Sequence, residues 1–236
     1  MSRIARDDLS DGQPPEPEPR KVVRKGTFPA SGKGAVFSKR DGLAISGRLR
    51  VELSYDETHT PVGATLHLAA FLIDSDSKVP GGNPFFSVHH DNDRSKDGSA
   101  VRSGRLKHGH RVRNETITIT TGRVSARVTE IVLVAYIQDA SELNHTFSKV
   151  QDGLVTFYQL APYAGLEEDE EVDIIDEEAK EIHEHRLDGD YDDGETAVIV
   201  GHLIRQRDHH DWIYRDVSDG RPSISEVGEP YGVLFV

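Results

Sequence analysis

The first of two acidic stretches that could bind a cation runs from Asp91 to Gly98. Asp91, Asp93 and Asp97 supply carboxylates, and Gly98 is the sixth residue when counting begins at Asp93. Oxygen donors followed by a glycine are typical of the first half of a calcium-binding loop, because the chain must turn sharply around a hard cation. The twelfth position is Gly104 rather than a glutamate, so the stretch is not an EF-hand. A calcium site completed by residues from elsewhere and a polar turn between strands both remain open.

The second acidic stretch, from Asp188 to Glu195, contains five carboxylates in eight residues. So dense a cluster either attracts a cation or forms a hydrated loop. If the chain has a calcium site, we expect this loop to contribute to it, and calcium is the candidate cofactor. The candidate calcium ligands are Asp91, Asp93, Asp97, Asp188, Asp190 and Asp192.

Many of the twelve histidines fall in local sets. The sets are His89-His90, His108-x-His110, His183-x-His185 and His209-His210-Asp211. Two histidines separated by one residue project from the same face of a β-strand, a spacing that zinc or another transition metal can use. Histidines in surface turns are the alternative interpretation. Because the chain has no cysteine, any metal ligand must be an oxygen or an imidazole nitrogen.

Composition and motifs exclude several classes of function. The sequence contains no nucleophile elbow, phosphate-binding loop, HExxH motif or dinucleotide-binding fingerprint, so we expect a protein that is not an enzyme. The formal net charge of −13 argues against general nucleic-acid binding, because affinity for phosphates depends largely on Lys and Arg.

Two segments of opposite charge are candidate partner-binding surfaces. The segment from Arg102 to Arg113, predicted as a loop, is basic and has no acidic residue, whereas nine of the twelve residues from Glu167 to Glu178 are acidic. They could contact protein partners or each other in neighbouring copies of the chain; two solvated loops are the alternative. The candidate contact residues are Arg105, Lys107, Arg111, Arg113, Glu168, Asp169 and Glu170.

Alternation of apolar and polar residues predicts β-strands along most of the chain. Apolar residues at every second position from Leu43 to Tyr55 indicate one half-buried strand. The run Ile131–Ile137 is apolar on both faces and therefore belongs in the centre of the structure. Further strands are predicted at Thr65–Ile73, Phe85–His89, Glu115–Thr120, Leu154–Leu160, Ala197–Arg205 and Trp212–Val217. Short strands separated by Gly, Asp, Asn and Ser turns favour an all-β sandwich of two packed sheets.

The chain divides into an arm and one domain with an insertion. Residues 1–33 alternate Pro with Glu and then become basic, which predicts a flexible arm, and residues 34–236 form the domain. The insertion, at about 165–182, has apolar spacings compatible with an amphipathic helix. Ser141–Asn144 could form one helical turn. The sequence has no long apolar run and no signal-peptide pattern, so we expect a cytoplasmic protein without an integral membrane segment.

Two features near the C terminus have a packing interpretation. Trp212 and Tyr214 alternate on one face of a predicted strand, which is typical of the core. The apolar residues of Tyr231–Val236 are expected to pack within the same chain, with docking on a partner as the alternative.

Three blocks of sequence share their order and spacing with one known family. The blocks are Ala70–Gly104 (AFLIDSDSKVPGG…HHDNDRSKDGSAVRSG), Ile131–Phe157 (IVLVAYIQDASELNHTFSKVQDGLVTF) and Glu195–Gly220 (ETAVIVGHLIRQRDHHDWIYRDVSDG). They resemble the TerD family of tellurium-resistance and general-stress proteins, over roughly Ser46 to Gly232. The resemblance implies a β-sandwich.

The resemblance also implies calcium binding, through an Asp-Leu-Asp stretch before an apolar strand and through a later acidic loop. Aligned on Ala69–Leu72, the Asp-Leu-Asp stretch falls on Thr65-Leu66-His67, where both carboxylates are missing. The acidic loop falls on His110–Asn114, which is cationic here and would repel a divalent cation. Acidic residues remain at matching positions at Asp56, Asp91 and Glu115. The chain therefore resembles a divergent member that lacks the Asp-Leu-Asp calcium motif.

The resemblance and the missing catalytic motifs predict a non-catalytic module for binding and assembly. Its setting would be a bacterial stress-response or defence system of tellurite-resistance type. Calcium sensing through a rearranged carboxylate site is one alternative. A structural component of a larger particle, tethered by the arm and the apolar C terminus, is another.

Overall fold

The computed structural model describes residues 42–58, 60–108, 112–160, 179–188, 191–206 and 211–235, and side chains are not described for residues 104–108 and 112–113. These ranges contain eleven strands. The strands are β1 (Leu43–Ile45), β2 (Arg48–Asp56), β3 (Thr65–Asp74), β4 (Ser87–Val88), β5 (Ala100–His108), β6 (Val112–Thr120), β7 (Val128–Gln138), β8 (Leu154–Leu160), β9 (Lys180–Arg186), β10 (Ala197–Arg205) and β11 (Trp212–Arg221). The helices are α1 (Ala140–Leu143) and α2 (Ile224–Gly228), with 3₁₀ turns at Pro80–Gly82, Pro84–Phe86, Thr121–Arg123, Phe147–Lys149 and Glu229–Tyr231.

The strands form two antiparallel sheets that pack face to face, which confirms the predicted all-β sandwich. One sheet has six strands in the order β1-β11-β10-β7-β3-β4, and the other has five in the order β5-β6-β2-β8-β9. β5 and β9 are therefore the two edges of the five-stranded sheet. Among the described residues no helix is long and apolar enough to cross a membrane.

The core lies between the sheets, and a second apolar layer covers the outer face of the six-stranded sheet. On β7, Ile131, Leu133 and Ala135 face the first layer, whereas Val132 and Val134 face the second. β7 lies between β10 and β3, so the prediction that this apolar run is central is confirmed. Burial on both faces explains why the strand shows no alternation of apolar and polar residues.

The predicted strand from Leu43 to Tyr55 is in fact two strands that belong to different sheets. β1 pairs with β11 in the six-stranded sheet, whereas β2 pairs with β6 and β8 in the other. Gly47 separates them with a φ of 72°, a conformation that glycine adopts without steric cost. The alternation continued through the corner because Ile45 and Leu49 both face the same core.

Three further predictions of local structure need correction. The basic segment after Arg102, predicted as a loop, forms most of the hairpin of β5 and β6. The strand predicted at Phe85–His89 is a 3₁₀ turn followed by the two-residue strand β4. The helical pattern extended to Ile182, but β9 begins at Lys180 and pairs with β8, because cross-strand pairing outweighs a weak helical spacing. The arm and residues 165–178 of the insertion lie outside the described residues.

The features near the C terminus pack as predicted. Trp212 and Tyr214 are buried in the core between the sheets. Val233 is buried in the outer apolar layer, and the Phe235 ring lies 5.9 Å from that of Phe71. The end of the described chain therefore covers the outer face of the six-stranded sheet, and the predicted helical turn after Asp139 is present as α1.

Candidate functional site: polar clusters at two edges of the sandwich

Side chains from the five-stranded sheet bind the edge of β3 where β4 is too short to cover it. β4 contains two residues and pairs with only two residues of β3. The Leu68 N–H donates to Glu115 Oε1 at 2.8 Å, and the Leu66 N–H donates to the Tyr55 hydroxyl at 3.2 Å. Buried amides require a hydrogen-bond partner, so these two side chains complete the edge and connect the sheets.

A group of four side chains, which we call the Glu115 cluster and of which His67 and Glu115 are buried, surrounds this connection. Its members are His67 on β3, Arg102 on β5, Glu115 on β6 and Gln138 on β7. Arg102 donates from Nε to Glu115 Oε1 and from an Nη nitrogen to Oε2, both at 2.9 Å. His67 Nδ1 lies 2.8 Å from Oε2, and its Nε2 lies 2.8 Å from the Gln138 Oε1. The carboxylate thus takes part in four hydrogen bonds, two with Arg102 and one each with His67 and the Leu68 amide, about as many as its lone pairs allow.

The Glu115 cluster extends outward through polar and aromatic contacts. The Arg102 guanidinium also donates to Asp93, and the His67 ring stacks on His90 with centroids 5.4 Å apart. His90 Nδ1 lies 2.7 Å from the Tyr136 hydroxyl. Each of these polar side chains therefore has a partner within the chain.

Electrostatics keep Glu115 ionised although its side chain is only 2% exposed. Burial raises the pKa of this carboxyl, but hydrogen bonds from His67, Arg102 and the Leu68 amide outweigh burial and lower the pKa to about 2. The reverse holds for the guanidinium: burial lowers the pKa of Arg102, and hydrogen bonds to Glu115 and Asp93 raise it above its usual value. Burial also raises the pKa of Tyr136. The cluster therefore contains an ion pair between Glu115 and Arg102 that hydrogen bonds hold in place.

The residues present do not fit calcium at the Glu115 cluster. Calcium takes six to eight oxygen ligands, whereas the partners of Glu115 are a guanidinium, an imidazole and an amide. A divalent ion about 4 Å from Arg102 would be repelled by about 8 kcal/mol at an effective dielectric constant of 20. His67, where the resemblance placed a calcium carboxylate, instead belongs to the group that binds Glu115.

The predicted calcium ligands of the first acidic stretch each engage a different neighbour. Asp91 lies 2.9 Å from His90 Nε2, and Asp93 accepts from Arg102. Asp97 organises its own turn: the Ser95 and Ser99 hydroxyls and the Ser99 N–H donate to Oδ1, and the Ser125 N–H donates to Oδ2. Burial raises the pKa of Asp97, but these hydrogen bonds lower it below its usual range.

The second acidic stretch lies beside the opposite edge of the five-stranded sheet. Asp188 follows β9 and accepts two hydrogen bonds from Arg186, at 3.0 and 2.6 Å. The Asp192 N–H donates to Glu195, and Asp190 lies outside the described residues. The first stretch lies beside β5, because the Arg102 N–H on that strand donates to the Asp93 carbonyl. Four strand spacings of about 4.8 Å put these edges roughly 19 Å apart, so the two stretches do not share one ion.

Three of the predicted partner-binding residues lie on the hairpin of β5 and β6. Arg105 and Lys107 belong to β5 and Arg113 to β6, and Lys107 is directly opposite Arg113 in the antiparallel register. Arg111 and the acidic residues Glu168, Asp169 and Glu170 lie outside the described residues. Their role in binding stays a prediction.

A second polar cluster, which we call the Asp216 cluster, lies at the β9 edge. It consists of His183 and His185 on β9 and Asp216 on β11. His183 Nε2 lies 3.1 Å and His185 Nδ1 lies 2.9 Å from the same oxygen, Asp216 Oδ1. Burial raises the pKa of Asp216, and the two histidines outweigh burial and lower it. In the sequence, the His-x-His spacing indicated that the two imidazoles lie on one face of a strand. Asp216 was not identified from the sequence as their partner, although it lies two residues after Tyr214, which was predicted to face the core.

Tyr214, two residues before Asp216 on β11, supports the Asp216 cluster. Its hydroxyl donates to the Val200 carbonyl at 2.8 Å and lies 3.3 Å from Asp216 Oδ1. The ring lies across Gly201, where an added Cβ would approach a ring carbon to 2.3 Å. Glycine at this position of β10 therefore allows the close approach that places the tyrosine.

Two antiparallel sheets packed as a sandwich, with a polar cluster at each of two edges, define an all-β domain. The TerD domain model matches residues 33–223, and the chain belongs to the TerD family. A solved homologue of the telluride resistance protein TerD from Streptomyces coelicolor is 19% identical, with a TM-score of 0.53 over 75% of this chain and 92% of that one. SAV2460, a solved protein of unknown function, is also 19% identical, with a TM-score of 0.55 over 79% of this chain and 97% of that one. These similarities show the fold. No curated protein matches the chain.

Proposed function

We propose that the chain is a non-catalytic binding and assembly module of a stress-response or defence system of tellurium-resistance type. Membership of the TerD family supports the setting. The sequence offers no catalytic motif. The buried carboxylate of Glu115 is already hydrogen-bonded to Arg102 within the chain. We further propose that the module works without calcium at the Glu115 cluster.

The observation that carries this proposal is the pairing of Glu115 with Arg102. The guanidinium supplies a permanent positive charge to the buried carboxylate, with both carboxylate oxygens accepting a hydrogen bond from it. Because arginine does not lose its proton in proteins, this charge does not depend on an ion from solution. The module is thereby held in one state at this edge, which suits a scaffold rather than a calcium sensor.

Thermal unfolding tests the calcium part of the proposal. The metal-stripped full chain is heated with and without millimolar calcium, and an equal concentration of magnesium controls for ionic strength. We expect the same melting temperature in all three samples. A ligand of the native state at 100 times its dissociation constant adds about 2.7 kcal/mol, so a real site gives a rise of several degrees. Such a rise with calcium alone would favour the calcium-sensor alternative and direct mutagenesis to Asp188, Asp190 and Asp192.

Assembly through the two oppositely charged segments is the second part of the proposal. The basic hairpin includes the edge strand β5, and its positive residues have a complement in the nine carboxylates of Glu167–Glu178. A contact between a hairpin of one copy and the acidic segment of the next is heterologous, so it would build chains or rings. Protein partners with a basic or acidic surface would use the same residues.

Light scattering at two salt concentrations tests assembly. At about 0.5 M salt the Debye length is only a few ångströms, so association through these charges should weaken strongly relative to low salt. The variant Arg105→Glu with Lys107→Glu should abolish association at low salt. The control, Arg123→Glu with Arg127→Glu, makes the same change in net charge at exposed residues before β7. A monomer at every salt concentration, or equal behaviour of the two variants, would count against these surfaces.

A further inference from the structure

We propose that the Asp216 cluster binds a divalent transition-metal ion of the zinc class through His183 Nε2, His185 Nδ1 and an oxygen of Asp216. These three donor atoms all lie within 4.8 Å of one another. The site is separate from the calcium-independent edge discussed above, so the two proposals can fail independently.

Two of the three distances within the cluster are close to those between neighbouring ligands of one metal ion. Zinc binds nitrogen and oxygen at about 2.0–2.2 Å, so neighbouring ligands of a tetrahedral site lie about 3.3 Å apart. Asp216 Oδ1 lies 3.1 Å from His183 Nε2 and 2.9 Å from His185 Nδ1. Small movements that open these distances by a few tenths of an ångström would admit the ion. In its absence the same atoms are joined by hydrogen bonds.

The fold holds the three ligands in place. In the pairing of β8 with β9, His183 is opposite Phe157 and His185 is opposite Val155, so both imidazoles face the interior of the sandwich. The His183 ring packs 5.5 Å from Phe157 and 5.3 Å from Tyr214. The Tyr214 hydroxyl lies close to Asp216 Oδ1 and can orient the carboxylate, as outer-shell groups do in metal sites.

Charge and exposure also suit an ion. The hydrogen-bonding partners of Asp216 are His183, His185 and the Tyr214 hydroxyl, none of which has a permanent positive charge. The side chain of His185 is 5% exposed, whereas that of His183 is 25% and that of Asp216 is 51% exposed. One side of the cluster is thus open to an ion and to water as a fourth ligand.

The donor set selects the class of metal. Imidazole nitrogens suit zinc, nickel and copper, whereas calcium and magnesium prefer oxygen ligands alone. The described residues contain one other group of this kind, His89, His90 and Asp91. Burial lowers the pKa of both of those histidines; the nearby charge of Asp91 raises it, and the nearby charge of Arg102 lowers it. That positive charge opposes a metal ion there, whereas the Asp216 cluster has no such cation among its hydrogen-bonding partners.

Titration of the metal-stripped full chain with zinc chloride and with cobalt chloride tests the proposal. We expect saturable binding of one zinc ion per chain and, with cobalt, the intense visible absorption of a low-coordinate nitrogen and oxygen site. Millimolar calcium should not compete. An absence of saturable zinc binding, or a cobalt spectrum no stronger than that of the hydrated ion, would overturn the proposal.

Variants locate the site. Asp216→Asn and His183→Gln each remove one ligand from a partly exposed position, and each should weaken zinc binding at least about tenfold. The control is His202→Gln, which removes a histidine on β10 that pairs with Glu130 on β7 of the six-stranded sheet, and this variant should bind zinc like the original chain. Circular dichroism checks that the variants fold. If they do not fold, the cobalt spectrum of the unsubstituted chain alone decides whether the nitrogen and oxygen site exists. Equal zinc binding by all three variants and the original chain would assign the ion to other histidines.

Discussion

The Glu115 cluster and the Asp216 cluster place a carboxylate beside histidine at two different edges of the same sandwich, yet they differ in what balances the negative charge. Glu115 is buried and has a guanidinium bound to both oxygens. Asp216 is half exposed and has two imidazoles bound to one oxygen. A permanent internal cation makes the first cluster a structural element, whereas the second has room for a cation from outside.

The largest expected effect is the loss of the internal cation. Arg102→Met leaves Glu115 buried without its main partner, and breaking a buried ion pair in this way costs about 3–5 kcal/mol in the free energy of unfolding. Unfolding by urea measures the change. The double variant, Arg102→Met with Glu115→Gln, removes both charges and should recover part of the loss.

The exposed pair of Arg186 with Asp188 supplies the matched control for this prediction. Its arginine side chain is 65% exposed, so Arg186→Met should leave the unfolding free energy nearly unchanged. Similar losses in Arg102→Met and Arg186→Met would show that burial does not distinguish the two pairs, and the structural role of the Glu115 cluster would be refuted.

Acid should weaken the Glu115 cluster by the next largest amount. The pKa of Glu115 is lowered from 4.5 to about 2 in the folded chain, so its contribution is fully present above about pH 5 and is lost as the pH falls toward 2. At 1.36 kcal/mol per pKa unit the complete loss is about 3 kcal/mol, of which about 2 kcal/mol is reached at pH 3. Urea unfolding at pH 7, 5 and 3 measures it. The double variant should lose less stability over the same range, and an equal loss would assign the acid sensitivity to other carboxylates.

The smallest expected effect is that of Asp216→Asn in metal-free protein. Because Asp216 is half exposed, losing its charge should cost about 1 kcal/mol, well below the cost at Glu115. Urea unfolding in the presence of a chelator measures the change. A cost as large as that of Arg102→Met would mean that the Asp216 cluster is itself a principal structural connection between the sheets.

Local patterns predicted the central strands but not the edges or the clusters. β7 was evident because Ile131–Ile137 is apolar on both faces. β9 was missed because an edge strand exposes much of its surface, so Lys180, Glu181 and Glu184 hide the alternation. The clusters depend on pairing between distant residues: His67 and Glu115 are 48 positions apart, and only the packing of β3 against β6 brings them together. The histidine spacing on β9 was visible, but its partner on β11 was not.

The shortness of β4 has a consequence for how other proteins can approach the chain. An exposed strand edge is a template onto which a peptide can add as an extra strand, through a row of unpaired amides. On β3 the amides of Leu66 and Leu68 already donate to Tyr55 and Glu115. These two side chains therefore block the addition of a peptide strand to this stretch of β3. A partner must contact its side chains instead, or add to another edge of the sandwich.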